Sequence, residues 1–251
     1  MKSLPVLYQD EHLVAVNKPS GLLVHRSDID RHESEYAMQI LRDQLGQWVY
    51  PLHRLDKATS GVLLFALDRE SARLMTRSFT EGTISKSYLA VVRGFTRELE
   101  RIDHPLNERR DKMRSKIRSE MIDKRAARDK PERTAVTEYR RLATVELPRP
   151  AGRYPTARYS LVQAAPLNGR MHQIRRHLKH ISHPIIGDTT YGDGKQNEFF
   201  RTEFNCRRLL LHSQAAEFLH PYSGKQVRIH APLDEDFGNI LRKFLWEAIA
   251  P

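Results

Sequence analysis

The stretch His53-Arg54-Leu55-Asp56-Lys57-Ala58-Thr59-Ser60-Gly61 runs without a break into Val62-Leu63-Leu64-Phe65-Ala66-Leu67. The apolar half has the length and composition of a strand buried on both faces. The polar half closes on small, turn-forming residues and a glycine, which reads as a tight turn. Asp56 therefore sits on a turn at the mouth of a core strand, with Arg54 two residues behind it. The ordinary role of an aspartate there is to hydrogen-bond its own backbone.

Outward from this stretch, short strands alternate with helices. Pro5 to Tyr8 and His12 to Asn17 read as strands about the turn Gln9-Asp10-Glu11, followed by the loop Asn17-Lys18-Pro19-Ser20-Gly21 and a brief return at Leu22-Leu23-Val24. Tyr36, Ile40 and Leu41 have helical spacing, stopped by Gly46. Arg69 to Phe79 reads as a helix with Leu74 and Phe79 towards the core and Gly82 as its stop. Lys86 to Val92 is a β-type run, and Ala135 to Tyr139 and Ala157 to Gln163 are further strands. From about Arg170 to Ile181 the apolar residues Met171, Ile174, Leu178 and Ile181 share one helix face. Arg175 falls at the edge of that stripe and Arg176 points away from it. Another apolar run begins at Leu209, His220 to Lys225 reads as a hairpin loop, and a closing helix covers about Asp234 to Ala248. No internal repeat and no linker forces a domain cut.

Charge narrows the class of partner. Forty-two Lys and Arg against 31 acids leave a net charge of +11, which suggests a polyanion, nucleic acid or membrane. The charge is concentrated. Segment 107–133 holds eleven Lys/Arg and six acids, and the stretch from Asn168 to His183 holds four basic residues and no acid. In the first segment Met113, Ile117 and Met121 recur every four residues, as in a basic helix that either leans on the domain or grips RNA phosphates. No run approaches the roughly 20 apolar residues that span a bilayer, and the N-terminus lacks a signal peptide's apolar core. The single cysteine, Cys206, excludes an internal disulfide and fits a reducing cytoplasm. These features point to a cytoplasmic nucleic-acid partner rather than a membrane protein.

Cofactor signatures are missing: there is no phosphate-binding glycine loop, no dinucleotide fingerprint and no H-E-x-x-H. His177, His180 and His183 have helical spacing, but no Cys or carboxylate stands near to complete a metal site. They read as solvated or RNA-facing histidines, and no metal or cofactor is expected.

Four strings, in order along the chain, resemble the signatures of the RluA-type pseudouridine synthases. His53 to Gly61 resembles H-R-L-D-x-x-T-S-G, and Lys86-Ser87-Tyr88-Leu89-Ala90-Val91-Val92 resembles K-x-Y-x-A-x-V. Gly169 to His177 resembles G-R-x-H-Q-[IL]-R-x-H, and Arg208-Leu209-Leu210-Leu211-His212 resembles R-L-x-L-H. Ser213 departs from the family's usual Ala. The resemblance implies an α+β fold, one catalytic domain over 1–251 with a mixed, largely antiparallel sheet flanked by helices, and a basic helical insert at about 107–133. It implies Asp56 as nucleophile, Tyr88 in the active site, Arg175 paired with Asp56, and an aliphatic wall from Leu209 and Leu211. Arg54, His53 and Arg170 are further candidates for binding substrate. The strings Leu7 to Glu11, Val14 to Gly21, Leu142 to Glu146 and Gly152 to Thr156 resemble a branch that modifies uridine 65 of certain tRNAs, which makes tRNA the expected partner of a monomer.

The residues suit that chemistry. Isomerising uridine needs no oxidation, ATP or metal, only one nucleophilic carboxylate in a water-poor pocket, attacking C1′ of the ribose or C6 of the base. An adjacent arginine keeps such a carboxylate ionised. Tyr88 offers a face to stack on the base and a hydroxyl to help remove the C5 proton. A base inside a stem must be flipped out, and Arg54 is placed to fill its vacancy. The alternatives are a ribosomal RNA synthase of the same family, a non-catalytic RNA-binding module, and a glycosidase or base-excision enzyme. The last usually needs a second carboxylate, and none stands within the four strings.

Overall fold

Every residue of the strand that follows the signature, β4 (Ser60–Ala66), is buried. A computed structural model, describing residues 3–25, 34–107, 133–151 and 154–249, shows why. β4 lies between β2 (Leu13–Lys18), antiparallel to it, and β9 (Leu211–Leu219), parallel to it. Leu63 and Phe65 join one core cluster with Val14 and Val16, while Val62, Leu64 and Ala66 join another on the opposite face. A strand covered on both faces has no polar side to present, so its sequence reads as a continuous apolar run.

The remaining strands extend this centre. The sheet runs β1 (Val6–Gln9), β2, β4, β9, β5 (Ser85–Arg93), β8 (Ala157–Pro166), β7 (Val136–Leu147), β6 (Leu99–Asp103). β3 (Tyr50–Pro51) pairs with β4, and β10 (Gln226–His230) with β9. Helices cover both faces. α1 (Ala37–Leu45) and α3 (Gln173–His180) pack on the face of Leu63 and Phe65 through Leu41, Ile174 and Leu178. On the other face lie α2 (Arg69–Glu81), through Met75, and α4 (Gly194–Phe204) and α5 (Glu235–Lys243), through Phe200 and Phe237. The fold is α+β with a mixed, largely antiparallel sheet.

Several local expectations change. The turn after Asp56 is closed by the Thr59 N–H donating to the Asp56 carbonyl at 3.0 Å, and Gly61 already belongs to the strand. Its role is close approach: φ is +109°, and a Cβ there would stand 2.1 Å from the Ser213 carbonyl oxygen on β9. In α2, Asp68 caps the helix by accepting the Ser71 N–H, which turns Ser71 and Met75 inwards and leaves Leu74 and Phe79 half-buried. β7 runs on to Leu147, beyond Tyr139: past Arg140 it leaves β6 and keeps pairing with β8, with Leu142, Ala143, Val145 and Leu147 packed against the core. The closing helix ends at Lys243, where the chain turns and returns Trp246 to the core. The basic insert and its Met113, Ile117 and Met121 stripe lie outside the described residues. Among the described residues, no helix is long and apolar enough to cross a membrane.

The β4–β9 junction is held by a buried polar chain. Arg208 Nη2 donates to Ser60 Oγ at 2.8 Å, and Ser60 Oγ lies 2.8 Å from His212 Nδ1. His212 Nε2 is 3.0 Å from the Ala231 carbonyl, which can only accept. Nε2 therefore carries the proton and Nδ1 accepts from the serine. Burial pushes the His212 imidazole down to about 4. Between pH 6.5 and 4 the unfolded chain then binds a proton that the folded chain refuses, so stability falls as pH falls through that window. Between pH 6.5 and 5 this one group accounts for about 2 kcal/mol. Urea denaturation should show His212→Gln less stable than wild type at pH 7.5, yet losing about 2 kcal/mol less on going from pH 6.5 to 5. Equal losses would place the acid sensitivity elsewhere.

Candidate active site

Three elements bring their polar residues to one face of the sheet: the loop before β4, strand β5, and the N-terminal turn of α3. Asp56 is half-buried at the end of the loop. Arg175, on the buried side of α3 with Ile174 and Leu178, is 7% exposed. Its Nη1 donates to Asp56 Oδ2 at 2.9 Å. The fork formed by Nε and Nη2 engages Asp188 instead, at 2.7 and 2.9 Å. Arg175 thus pairs with Asp56 through a single bond and gives its bidentate grip to Asp188, because a buried guanidinium has five donors and one half-exposed carboxylate cannot satisfy them.

Asp188 is itself fixed by the N–H groups of Thr190 and Tyr191, both at 2.9 Å. Burial works to raise its pKa, but the hydrogen bonds and charge of Arg175 hold it below the usual carboxylate range. Burial likewise works against the Arg175 charge, and Asp188, then Asp56, hold its pKa above the ordinary value. The ring of Tyr191 lies 5.2 Å from the guanidinium carbon, a cation–π contact on a third side.

The helix begins at Gln173, later than its sequence pattern suggests, so Met171 is not on its stripe. Gln173 is the reason. Its side chain accepts from the Arg170 N–H and donates to the Val136 carbonyl and Thr137 Oγ1, tying the helix start to β7. His172, just before it, is left-handed, with φ 55° and ψ 27°. For a residue other than glycine that conformation costs about 1–2 kcal/mol. It directs the imidazole into the site: Nδ1 is 3.0 Å from the Tyr191 hydroxyl, and Nε2 is 3.7 Å from Asp56 Oδ1.

Tyr88, on β5, is the register partner of Ser213 on β9 and is buried in the core cluster beside the site. Burial pushes its phenol up to about 12, so it keeps its proton at neutral pH. Beneath the loop, Lys18 ends β2 fully buried, its ammonium donating to the carbonyls of Pro19, Leu22 and Lys57 at 2.9, 2.7 and 3.1 Å. Burial lowers Lys18 to about 7, against the pull of the Asp56 charge. The bond to Lys57 pins the residue next to Asp56.

Asp56, Tyr88, His172, Gln173 and Arg175 line a pocket of about 1060 Å³, with Arg54, Arg170 and Leu211 also in its wall, while Asp188, Tyr191 and Lys18 support it from behind. Arg54 is exposed, whereas His53 accepts the Leu64 N–H at 3.1 Å and stacks on Phe79, so one of its ring nitrogens is committed to holding β4. Burial pushes His53 down to about 3. Leu209 packs in the core cluster beside Leu211. Arg176 does not face solvent: it is half-buried and donates to the Asn107 carbonyl. His177 is a core residue between Thr137 Oγ1 and the His104 carbonyl, not a solvated one. No group of three or more potential metal ligands occurs among the described residues.

The structure brings Asp56, Arg175 and Tyr88 together as expected and adds Asp188, His172, Tyr191 and Lys18. A half-exposed carboxylate held by a permanent cation, beside a phenol that keeps its proton, is equipped for nucleophilic attack and proton transfer. Counting the donors of a buried Arg175 is the signal that could have called for a second acceptor, without saying which. Nothing in the sequence marked Lys18 apart from an ordinary loop lysine.

Comparison with known proteins agrees with this chemistry. A family model described as RNA pseudouridylate synthase matches residues 12–180. The tRNA pseudouridine synthase C of Haemophilus influenzae is 51% identical over 98% of this chain and 100% of its own length. That of Vibrio cholerae is 49% identical over 97% of each. Among solved structures, human RNA pseudouridylate synthase domain containing 1 is similar with a TM-score of 0.67 and 26% identity, covering 92% of this chain and 84% of that one. Human RNA pseudouridylate synthase domain containing 4 has a TM-score of 0.70 over 96% and 93% of the two chains, at 23% identity, and shares the fold.

The two carboxylates on Arg175 are unequal, and stability measurements should separate them. Asp188→Asn breaks a fully buried ion pair and should cost about 3–5 kcal/mol in urea denaturation. Asp56→Asn leaves Arg175 with its principal partner and should change stability by about 1 kcal/mol or less. Equal losses would contradict the division of roles.

Proposed function

The chain belongs to the RNA pseudouridylate synthase family, and on that premise we propose that it isomerises uridine to pseudouridine in tRNA, with Asp56 as nucleophile. The reaction breaks the bond between N1 and C1′, turns the base, and rejoins it through C5. C5 loses a proton and N1 gains one, so nothing is added or removed overall. The observation that carries this reading is the Asp56 carboxylate, held by Arg175 at 2.9 Å in the wall of a pocket with Tyr88 beside it. Arg175 aims the carboxylate through a charge-assisted hydrogen bond to Oδ2. Tyr88 supplies a face for the base and a hydroxyl for the proton at C5. Leu211 excludes water from one wall. Arg54, exposed at the same pocket, occupies the space a flipped base leaves, and Arg170 contacts the RNA backbone. The similarity to the tRNA pseudouridine synthases C over nearly the whole chain supports tRNA as the substrate, and the strings that resemble the uridine-65 branch, among them Leu7 to Glu11 and Val14 to Gly21, are what favour that position.

Two measurements test this reading. Asp56→Asn should bind a tRNA transcript as wild type does, with turnover at least about a thousandfold lower, which is about 4 kcal/mol of transition-state stabilisation. Turnover above that level would remove Asp56 from the role. In a gene-deletion strain, pseudouridine at position 65 should disappear from tRNA while ribosomal RNA stays fully modified. The reverse pattern would move the chain to a ribosomal substrate.

A further inference from the structure

Asp56 is gripped on one oxygen by Arg175, through Oδ2. What stands at the other oxygen is His172, whose Nε2 lies 3.7 Å from Oδ1. That distance is beyond a hydrogen bond, and catalytic contacts of this kind commonly close only when substrate fills the site. The ring is not placed by chance. Its backbone is held in the left-handed region, its Nδ1 lies 3.0 Å from the Tyr191 hydroxyl, and its side chain lines the pocket. Strain of that sort persists where the surroundings over-determine it, and it collects at functional sites. Tyr191 also packs its ring against Arg175, 5.2 Å from the guanidinium carbon. One tyrosine therefore braces both neighbours of Asp56.

We propose that His172 is a positioning residue for Asp56, presenting Nε2–H to Oδ1 while Tyr191 holds Nδ1, so that the carboxylate is fixed at both oxygens. The tautomer follows from the geometry. When the ring is neutral, a Tyr191 hydroxyl donating to Nδ1 leaves the proton on Nε2, facing the carboxylate. When the ring is charged, both nitrogens donate and the tyrosine oxygen accepts. In either state Tyr191 keeps a donor directed at Asp56. The other charged or titratable groups facing this junction are Arg175 and Asp188 on the far side of Asp56, Tyr88 from β5, Lys18 from below, and Arg54 and Arg170 at the pocket wall. This inference rests on Asp56 being the nucleophile.

The test separates reach from bulk. In His172→Gln the amide nitrogen falls near the place of Nε2, whereas in His172→Asn it falls near Nδ1 and cannot reach Asp56. Asparagine also tolerates the left-handed backbone, so a fold defect is not expected from it. With a tRNA transcript as substrate, His172→Gln should keep kcat within about threefold of wild type. His172→Asn should lose about tenfold or more in kcat with KM changed less than about twofold. Tyr191→Phe, which keeps the ring under Arg175 but frees His172, should lose kcat in the same sense by a smaller factor. Equal kcat in the Gln and Asn variants, or losses confined to KM, would overturn the proposal. Asp56→Asn is measured alongside: if it stays active the nucleophile assignment fails, and if it is inactive while the two His172 variants match, only this inference fails.

Discussion

A single buried guanidinium organises the site. Arg175 sits on the inner face of a helix, where an unpaired charge would be expensive, and that cost is met by two carboxylates of different kinds. Asp188 is fully buried, held by two backbone N–H groups, and takes the guanidinium in a two-pronged grip. It settles where the arginine points. Asp56 receives a bond from Nη1 on the pocket side, and because it is half-exposed it stays available to a molecule entering the pocket. The division keeps structural electrostatics behind the arginine and reactive electrostatics in front of it. A single carboxylate could not serve both ends, since full burial would close it to substrate and full exposure would leave the arginine unsatisfied.

The same economy appears in the lysine beneath the loop. Lys18 spends its three donors on three backbone carbonyls, one of them belonging to the residue after Asp56. Loops carry function because they are free of ladder constraints, yet the group a loop presents needs a fixed origin. Here the rigidity is imported from a side chain at the end of a strand. The turn bond from Thr59 to Asp56 supplies the rest.

Much of this was legible in the sequence, for reasons that differ residue by residue. β4 was legible because a strand buried on both faces has no alternative composition. Asp56, Tyr88 and Arg175 were legible because their strings are long and occur in a fixed order. Asp188 was not, since it lies outside those strings and its role depends on which way the guanidinium points. His177 was misjudged because helical spacing does not reveal that β7 and the His104 carbonyl close over it. Arg176 reads as pointing away from the stripe, but helical spacing does not reveal that the Asn107 carbonyl closes over that side of the helix. His53 belongs to a motif, but its ring accepts the Leu64 N–H, which only a neighbouring strand's position discloses.

The meeting of Gly61 with Ser213 sets a condition on when this molecule comes into being. The two strands touch in parallel at that point, backbone to backbone, and the contact joins residues more than half the chain apart. Arg208, which ties Ser60 to this junction, lies equally late. During synthesis, then, the loop of Asp56 emerges early and waits with its supporting strand unpaired on one side until nearly the whole chain has been made. Long-range pairings of this sort are slow to form and leave strand edges open meanwhile. A chain released before residue 213 carries the signature string intact but lacks the strand that meets β4 at Gly61.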